Sequence, residues 1–78
     1  MTLKIISAVE IVYEGTVSRV TLPGTMGAFT VLRNHASLVS TLTEGDVTFI
    51  NADGAEETRH ISGGLADVDN NVVSVCVY

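Results

Sequence analysis

His35, His60, Cys76, Ser62 and the neighbouring acids Glu56 and Glu57 are the side chains whose types could support metal binding, nucleophilic attack or acid–base chemistry. A metal centre needs three or four ligands gathered at short spacing, and neither histidine has a second ligand beside it at such a spacing. Cys76 stands in the β-branched run Val72–Tyr78, which holds no cation to lower a thiol pKa, so it reads as a small core residue and not as a ligand or nucleophile. Glu56 and Glu57 would point to opposite faces of a strand and cannot act as a converging pair. The stretch Gly24-Thr25-Met26-Gly27 has the glycines of a phosphate cradle, but a cradle needs a helix to begin there, and Phe29-Thr30-Val31-Leu32 reads as strand. In Ser62-Gly63-Gly64 the two glycines mark a sharp corner or a close backbone approach, and the serine has no acid or histidine in register to activate it. We therefore expect no catalytic residue, no metal, no cofactor and no small-molecule ligand.

The elements that would carry these residues are short. Val, Ile and Thr recur in runs of a few residues, each closed by a turn residue, which is the pattern of an all-β fold. Strands are predicted over 3–7, 11–13, 17–22, 28–32, 38–42, 46–51, 56–61, 65–68 and 72–77. Pro23-Gly24 suits a type II turn, with the positive φ at Gly24, and Asp53-Gly54 suits a type I′ hairpin turn. Glu14-Gly15, Glu44-Gly45 and Asn70-Asn71 read as further breaks. Val47 and Phe49 share one strand face, as do Val73, Val75 and Val77, and these faces should point inward. Ile50, Val72 and Cys76 fall on the opposite faces, which fits either full burial or a contact surface. The expected fold is a flattened β-barrel or two-sheet β-sandwich of about nine to ten short antiparallel strands, in a single domain spanning residues 1–78.

Composition narrows the function. With 46% apolar and 17% charged residues the chain is a packed globular one, and its 78 residues leave no room for a second core. So small a domain buries only about 60% of its unfolded surface and gains from a partner. The net charge of −5 repels a phosphate backbone, which argues against nucleic-acid binding. The N-terminal residues carry neither a signal-peptide apolar region nor a membrane span, and one cysteine cannot form an internal disulfide.

Several short motifs, in order, then point to a family. Leu22-Pro23-Gly24 with Gly27, Asn34-His35-Ala36 with Leu38 and Leu42, Glu44-Gly45, and the stretch from His60-Ile61-Ser62-Gly63-Gly64 through Asp67-Val68 to Asn71-Val72-Val73 resemble the ATP synthase epsilon subunit family over residues 3 to 78. The resemblance implies a β-sandwich domain of the rotor's central stalk, with no catalysis of its own, that clamps the gamma subunit onto the c-ring and couples proton flow to ATP synthesis elsewhere in the complex. It implies a place at the cytoplasmic side of the bacterial inner membrane, with membrane association only through the complex. Family members continue into a two-helix hairpin where this sequence ends at Tyr78, so no role of that hairpin is carried over. Gly24, Thr25, Met26, Gly27, Ala28 and Phe29 match the family's segment facing the c-ring. Ser7, His35 and Ser40 match positions facing gamma, although His35 also reads as a loop histidine bonded to backbone. Met26 and Ala28 stand where acids are common in the family, which favours shape or apolar contact over an electrostatic grip. Arg33 replaces a usual proline and Thr30 a common glycine, so the loop should differ in shape. The competing readings are a free-standing β-sandwich adaptor for an unrelated protein and, least favoured, a small hydrolase.

Overall fold

The computed structural model describes residues Met1–Tyr78. The chain is all β: β1 (Thr2–Ile6), β2 (Ile11–Leu22), β3 (Phe29–Leu32), β4 (Leu38–Leu42), β5 (Gly45–Asn51), β6 (Glu56–Ile61), β7 (Gly64–Asp69) and β8 (Val72–Val77). One continuous path of strands, β4-β7-β8-β1-β2-β5-β6 with β3 also on β2, curls into two facing layers. The first layer holds β4, β7, β8, β1 and the start of β2; the second holds β3, the end of β2, β5 and β6. The overall extents of 27 × 25 × 18 Å suit two sheets stacked about 10 Å apart.

Eight strands form instead of nine or ten, because the expected break at Glu14-Gly15 does not occur. Both residues pair with β1, Glu14 with Lys4 and Gly15 with Leu3, and β2 runs on for 12 residues. The strand changes layers at a register shift between Val17 and Arg19, where one extra residue bends it. One pairing is also not antiparallel: β1 and β8, the two ends of the chain, run parallel at the centre of the first sheet.

Two turns differ from their expected types. Gly24 is not among the positive-φ residues, so Pro23-Gly24 makes no type II turn; Gly24 instead bridges Leu42 of β4. At Asp53-Gly54 only Gly54 has positive φ, at 82°, whereas a type I′ turn needs two such residues. The Gly54 amide donates to the Asn51 carbonyl at 3.0 Å, and the Asn51 side-chain oxygen accepts from the amides of Asp53 and Ala55 at 2.9 and 3.0 Å. This is a type I turn closed by a left-handed glycine. The two-positive-φ turn lies at Asn70-Asn71 instead, with φ of 53° and 62°.

Fourteen buried apolar residues form one core, and no polar or charged side chain is buried with them. Val47, Phe49, Val73 and Val75 are all in it, as their alternation predicts; Val77 packs against it from the rim. Tyr13 and Phe49 meet at 4.4 Å between ring centroids, and the Arg59 guanidinium lies 5.4 Å from the Tyr13 ring, closing that edge of the core. An apolar interior of interlocked side chains resists deformation, but it offers nothing to activate a substrate.

Candidate partner-binding surface

Cross-strand register decides what the first sheet shows to solvent. Leu3 and Ile5, Val73 and Val75, and Ala66 and Val68 point into the core, so the residues between them point out. Pairing then aligns Leu65 with Cys76, Cys76 with Ile6, and Ile6 with Ile11, one residue from each of four adjacent strands. All four are exposed: Leu65 by 44%, Ile6 by 39%, Ile11 by 62%, and Cys76 with its free thiol. Val9, in the turn between β1 and β2, is exposed as well. The next row is polar, with Asp67, Ser74, Lys4 and Glu14 in register, and ends on the exposed Val39. Lys4 and Glu14 approach to 3.9 Å. An apolar row bordered by charges is the composition of a docking surface with a polar rim.

The loop from Pro23 to Phe29 is stapled to the end of β4. The Thr25 amide donates to the Thr41 carbonyl at 3.0 Å, the Thr43 amide to the Pro23 carbonyl at 2.9 Å, and the two hydroxyls of Thr25 and Thr41 lie 2.7 Å apart. Gly24 is buried; a Cβ there would press on the Gly27 carbonyl and the Phe29 ring. Phe29 turns inward against the core. These two residues shape the loop, and Thr25, Met26, Gly27 and Ala28 are the part that faces outward, with Met26 99% exposed at the tip.

The residues matched to gamma-facing positions do not gather in one place. Ser7 follows Ile6 at the end of the first sheet that also holds Gly64 and Leu42, where its hydroxyl accepts from the Glu10 amide at 3.2 Å and builds the β1–β2 turn. His35 lies at the other end of the sheet, beside the β7–β8 turn. Its ring Nδ1 donates to the Ala36 carbonyl at 2.7 Å, and Nε2 has no partner within the chain. Ser40 sits midway along β4, half-buried, its hydroxyl donating to the Thr41 carbonyl at 3.0 Å. Ser40 pairs with the inward-facing Ala66, so a partner touching all three would have to span the length of the sheet and reach round its β4 edge.

His60 has partners that its position in the sequence concealed. The β5–β6 register sets it opposite Asp46, with Nδ1 2.8 Å from the Asp46 carboxylate and Nε2 3.3 Å from that of Glu44. Hydrogen bonding to Asp46, then to Glu44, raises its pKa above the ordinary 6.5. Gly45, between the two acids, packs on Pro23, so this cluster stands at the foot of the Pro23–Phe29 loop. On the same hairpin Glu57 takes hydrogen bonds from Asn51 at 2.8 Å and Arg59 at 3.1 Å, which together hold its carboxyl below the usual range, Asn51 contributing most. Ser62, the one serine weighed as a nucleophile, reaches only the Tyr78 carbonyl, at 3.5 Å.

Comparison with known proteins gives this surface a context. The family model described as ATP synthase, Delta/Epsilon chain, beta-sandwich domain, matches residues 1–78. The ATP synthase epsilon chain of Campylobacter jejuni subsp. doylei is 41% identical over 96% of this chain and 58% of its own length. That of Bordetella petrii is 37% identical over 91% of this chain and 50% of its own. The chain thus spans about half the length of the relatives it matches. A chain in the cryo-EM structure of the Euglena gracilis mitochondrial ATP synthase (OSCP/F1/c-ring, rotational state 1) superposes with a TM-score of 0.88 at 26% identity, covering 96% of this chain and 48% of that one. A chain in the Tetrahymena thermophila mitochondrial ATP synthase (central stalk/c-ring) shares the fold, with a TM-score of 0.79 at 13% identity over 97% of this chain and 61% of that one.

Proposed function

This chain belongs to the family of ATP synthase delta/epsilon chain β-sandwich domains, and from that we propose that it is a non-catalytic part of the rotor, clamping the gamma subunit onto the c-ring of an F-type ATP synthase. The epsilon chains it resembles support this reading, as does the Euglena neighbour from an F1/c-ring assembly. In this reading the domain works at the cytoplasmic side of the membrane that houses the complex, reaching that membrane only through its partners. Coupling of proton flow to ATP synthesis then passes through it as torque.

The observation that carries the reading is the exposed row Leu65, Cys76, Ile6 and Ile11 lying over a wholly apolar, close-packed interior. A torque-bearing adapter needs contacts that hold their shape while the rotor turns, and it needs no reactive group. The row supplies the apolar centre of the contact with gamma, with Ser7 at its end; His35, at the far end of the same sheet, gives a second point of contact, and Ser40, which shares the inward face with Ala66, is reached only from the β4 edge. The outward part of the Pro23–Phe29 loop, with Met26 at its tip, meets the c-ring through shape and apolar contact.

Co-purification tests the reading. The chain, mixed with gamma and c-ring from which the resident epsilon has been removed, should elute with them through gel filtration. Elution of the chain alone would overturn it.

A further inference from the structure

Residues 33–37 carry His35 from the second sheet back to the first, and their backbone has one backbone-to-backbone hydrogen bond, from the His35 amide to the Leu32 carbonyl at 3.1 Å. So short a hold would leave an exposed crossover mobile. Side chains supply the rest. The Asn34 amide donates to the Asn71 side-chain oxygen at 2.6 Å, and the Asn71 side-chain nitrogen donates back to the Asn34 side-chain oxygen at 3.0 Å. Two residues beyond His35, the Ser37 hydroxyl donates to the Asp69 carboxylate at 2.6 Å. Thus the loop is pinned on both sides of His35, and both pins come from one turn, β7–β8. Asn34 and Asn71 are each in the left-handed region, at φ of 65° and 62°, a conformation asparagine adopts more readily than most side chains. The main chain of Asn71 is itself anchored, its carbonyl accepting from the Thr2 amide at 2.9 Å. The turn is therefore fixed to the centre of the first sheet, and the loop is fixed to the turn.

We propose that Asn71, aided by Asp69, is a positioning residue that holds the His35 loop in its binding shape, so that the β7–β8 turn sets how His35 meets gamma. The inference rests on the docking reading above. Asn71 does not touch the partner; it acts by removing the entropy that the loop would otherwise lose on binding. His35 keeps Nε2 open to the partner, and the pins keep it aimed.

Asn71→Gly tests this, because glycine keeps the left-handed turn while deleting both side-chain bonds. Asn71→Asp keeps the acceptor for the Asn34 amide and loses only the return bond. The glycine variant should fold, exchange its Asn34 and His35 amide hydrogens faster, and bind gamma with c-ring roughly fivefold more weakly, the equivalent of one net hydrogen bond. The aspartate variant should fall between it and the parent. In a His35→Ala background, Asn71→Gly should add little further loss, since both changes remove one contact. Faster exchange with unchanged affinity, or fully additive losses, would overturn the proposal. Leu65→Lys separates the two levels: if it weakens capture while Asn71→Gly does not, the clamp alone is wrong, and if neither does, the docking reading fails with it.

Discussion

The backbone of Gly64 lies so close to the Cys76 carbonyl that a Cβ at Gly64 would overlap it. The contact brings the start of β7 onto the end of β8, beside the Ser62-Gly63 corner, and it explains why the sequence places glycine at the beginning of a strand, where glycine is otherwise costly. Gly64→Ala should force the two strands apart and lower stability by roughly 3 kcal/mol, a large fraction of what so small a domain has. Ser62→Ala, which removes only a long contact to Tyr78, should change stability by less than about 0.5 kcal/mol. Denaturant melts of both variants check the pair.

The His60 cluster makes stability depend on pH. A pKa raised in the folded state means that folding favours the protonated ring, so the stabilisation is fully present below the ordinary value of 6.5 and is lost as pH rises through the higher folded value. Asp46 and Glu44 are the charges that face it. Midpoints of thermal unfolding at low salt should fall as pH rises from the unfolded value through the folded one, and His60→Gln should flatten that slope. A variant that keeps the parent's slope would show that the fall arises elsewhere.

At the opposite end of the range, Glu57 titrates below its ordinary value of 4.5 in the fold, so its stabilisation is present above that value and disappears as pH falls through the folded one. Asn51→Ala removes the largest contributor and the acceptor that organises the β5–β6 turn. The Glu57 carboxyl should then titrate nearer 4.5 by NMR, and the acid limb of the stability curve should become shallower.

Met26 is almost fully exposed at the tip of a loop that is otherwise tied to β4, so its side chain does nothing for the fold. Met26→Asp should leave the melting midpoint unchanged while altering how the c-ring is held. If the grip is by shape and apolar contact, as proposed, the parent should bind nearly independently of salt; the aspartate variant should acquire salt dependence, because exposed charge pairs are screened. Salt-dependent capture by the parent itself would show that an electrostatic grip survives without acids at Met26 and Ala28.

The alternation of apolar residues made the strands and the core readable from sequence: Val47 with Phe49 and Val73 with Val75 each point inward as period-two logic requires. What sequence patterning could not convey is which strand lies beside which. The exposed apolar row joins Ile6, Cys76 and Leu65 from distant parts of the chain through the parallel pairing of β1 with β8, and no local signal announces that pairing. The expectation of a small core residue at Cys76 does not hold: its neighbours Val73 and Val75 take the inward face, and alternation leaves the Cys76 thiol exposed on the outer one. Glu14-Gly15 misled because its composition is that of a turn, whereas the pairing of both residues with β1 holds them in a strand. His60 and Asp46 were within reach, since a hairpin centred near Asp53 sets them opposite one another, but that counting is reliable only once the turn is known.

In the proposed function the rotor holds this domain by the outer face of the first sheet. The most direct measurement is the affinity of the chain for gamma with c-ring, compared between the parent and Ile6→Asp, which puts a charge in the middle of the row without disturbing Leu3 and Ile5, both buried on the opposite face of the strand. The account predicts an unchanged fold and a loss of at least about tenfold in affinity, the scale of one buried aliphatic anchor replaced by a desolvated charge. Equal affinity for the two proteins would contradict it.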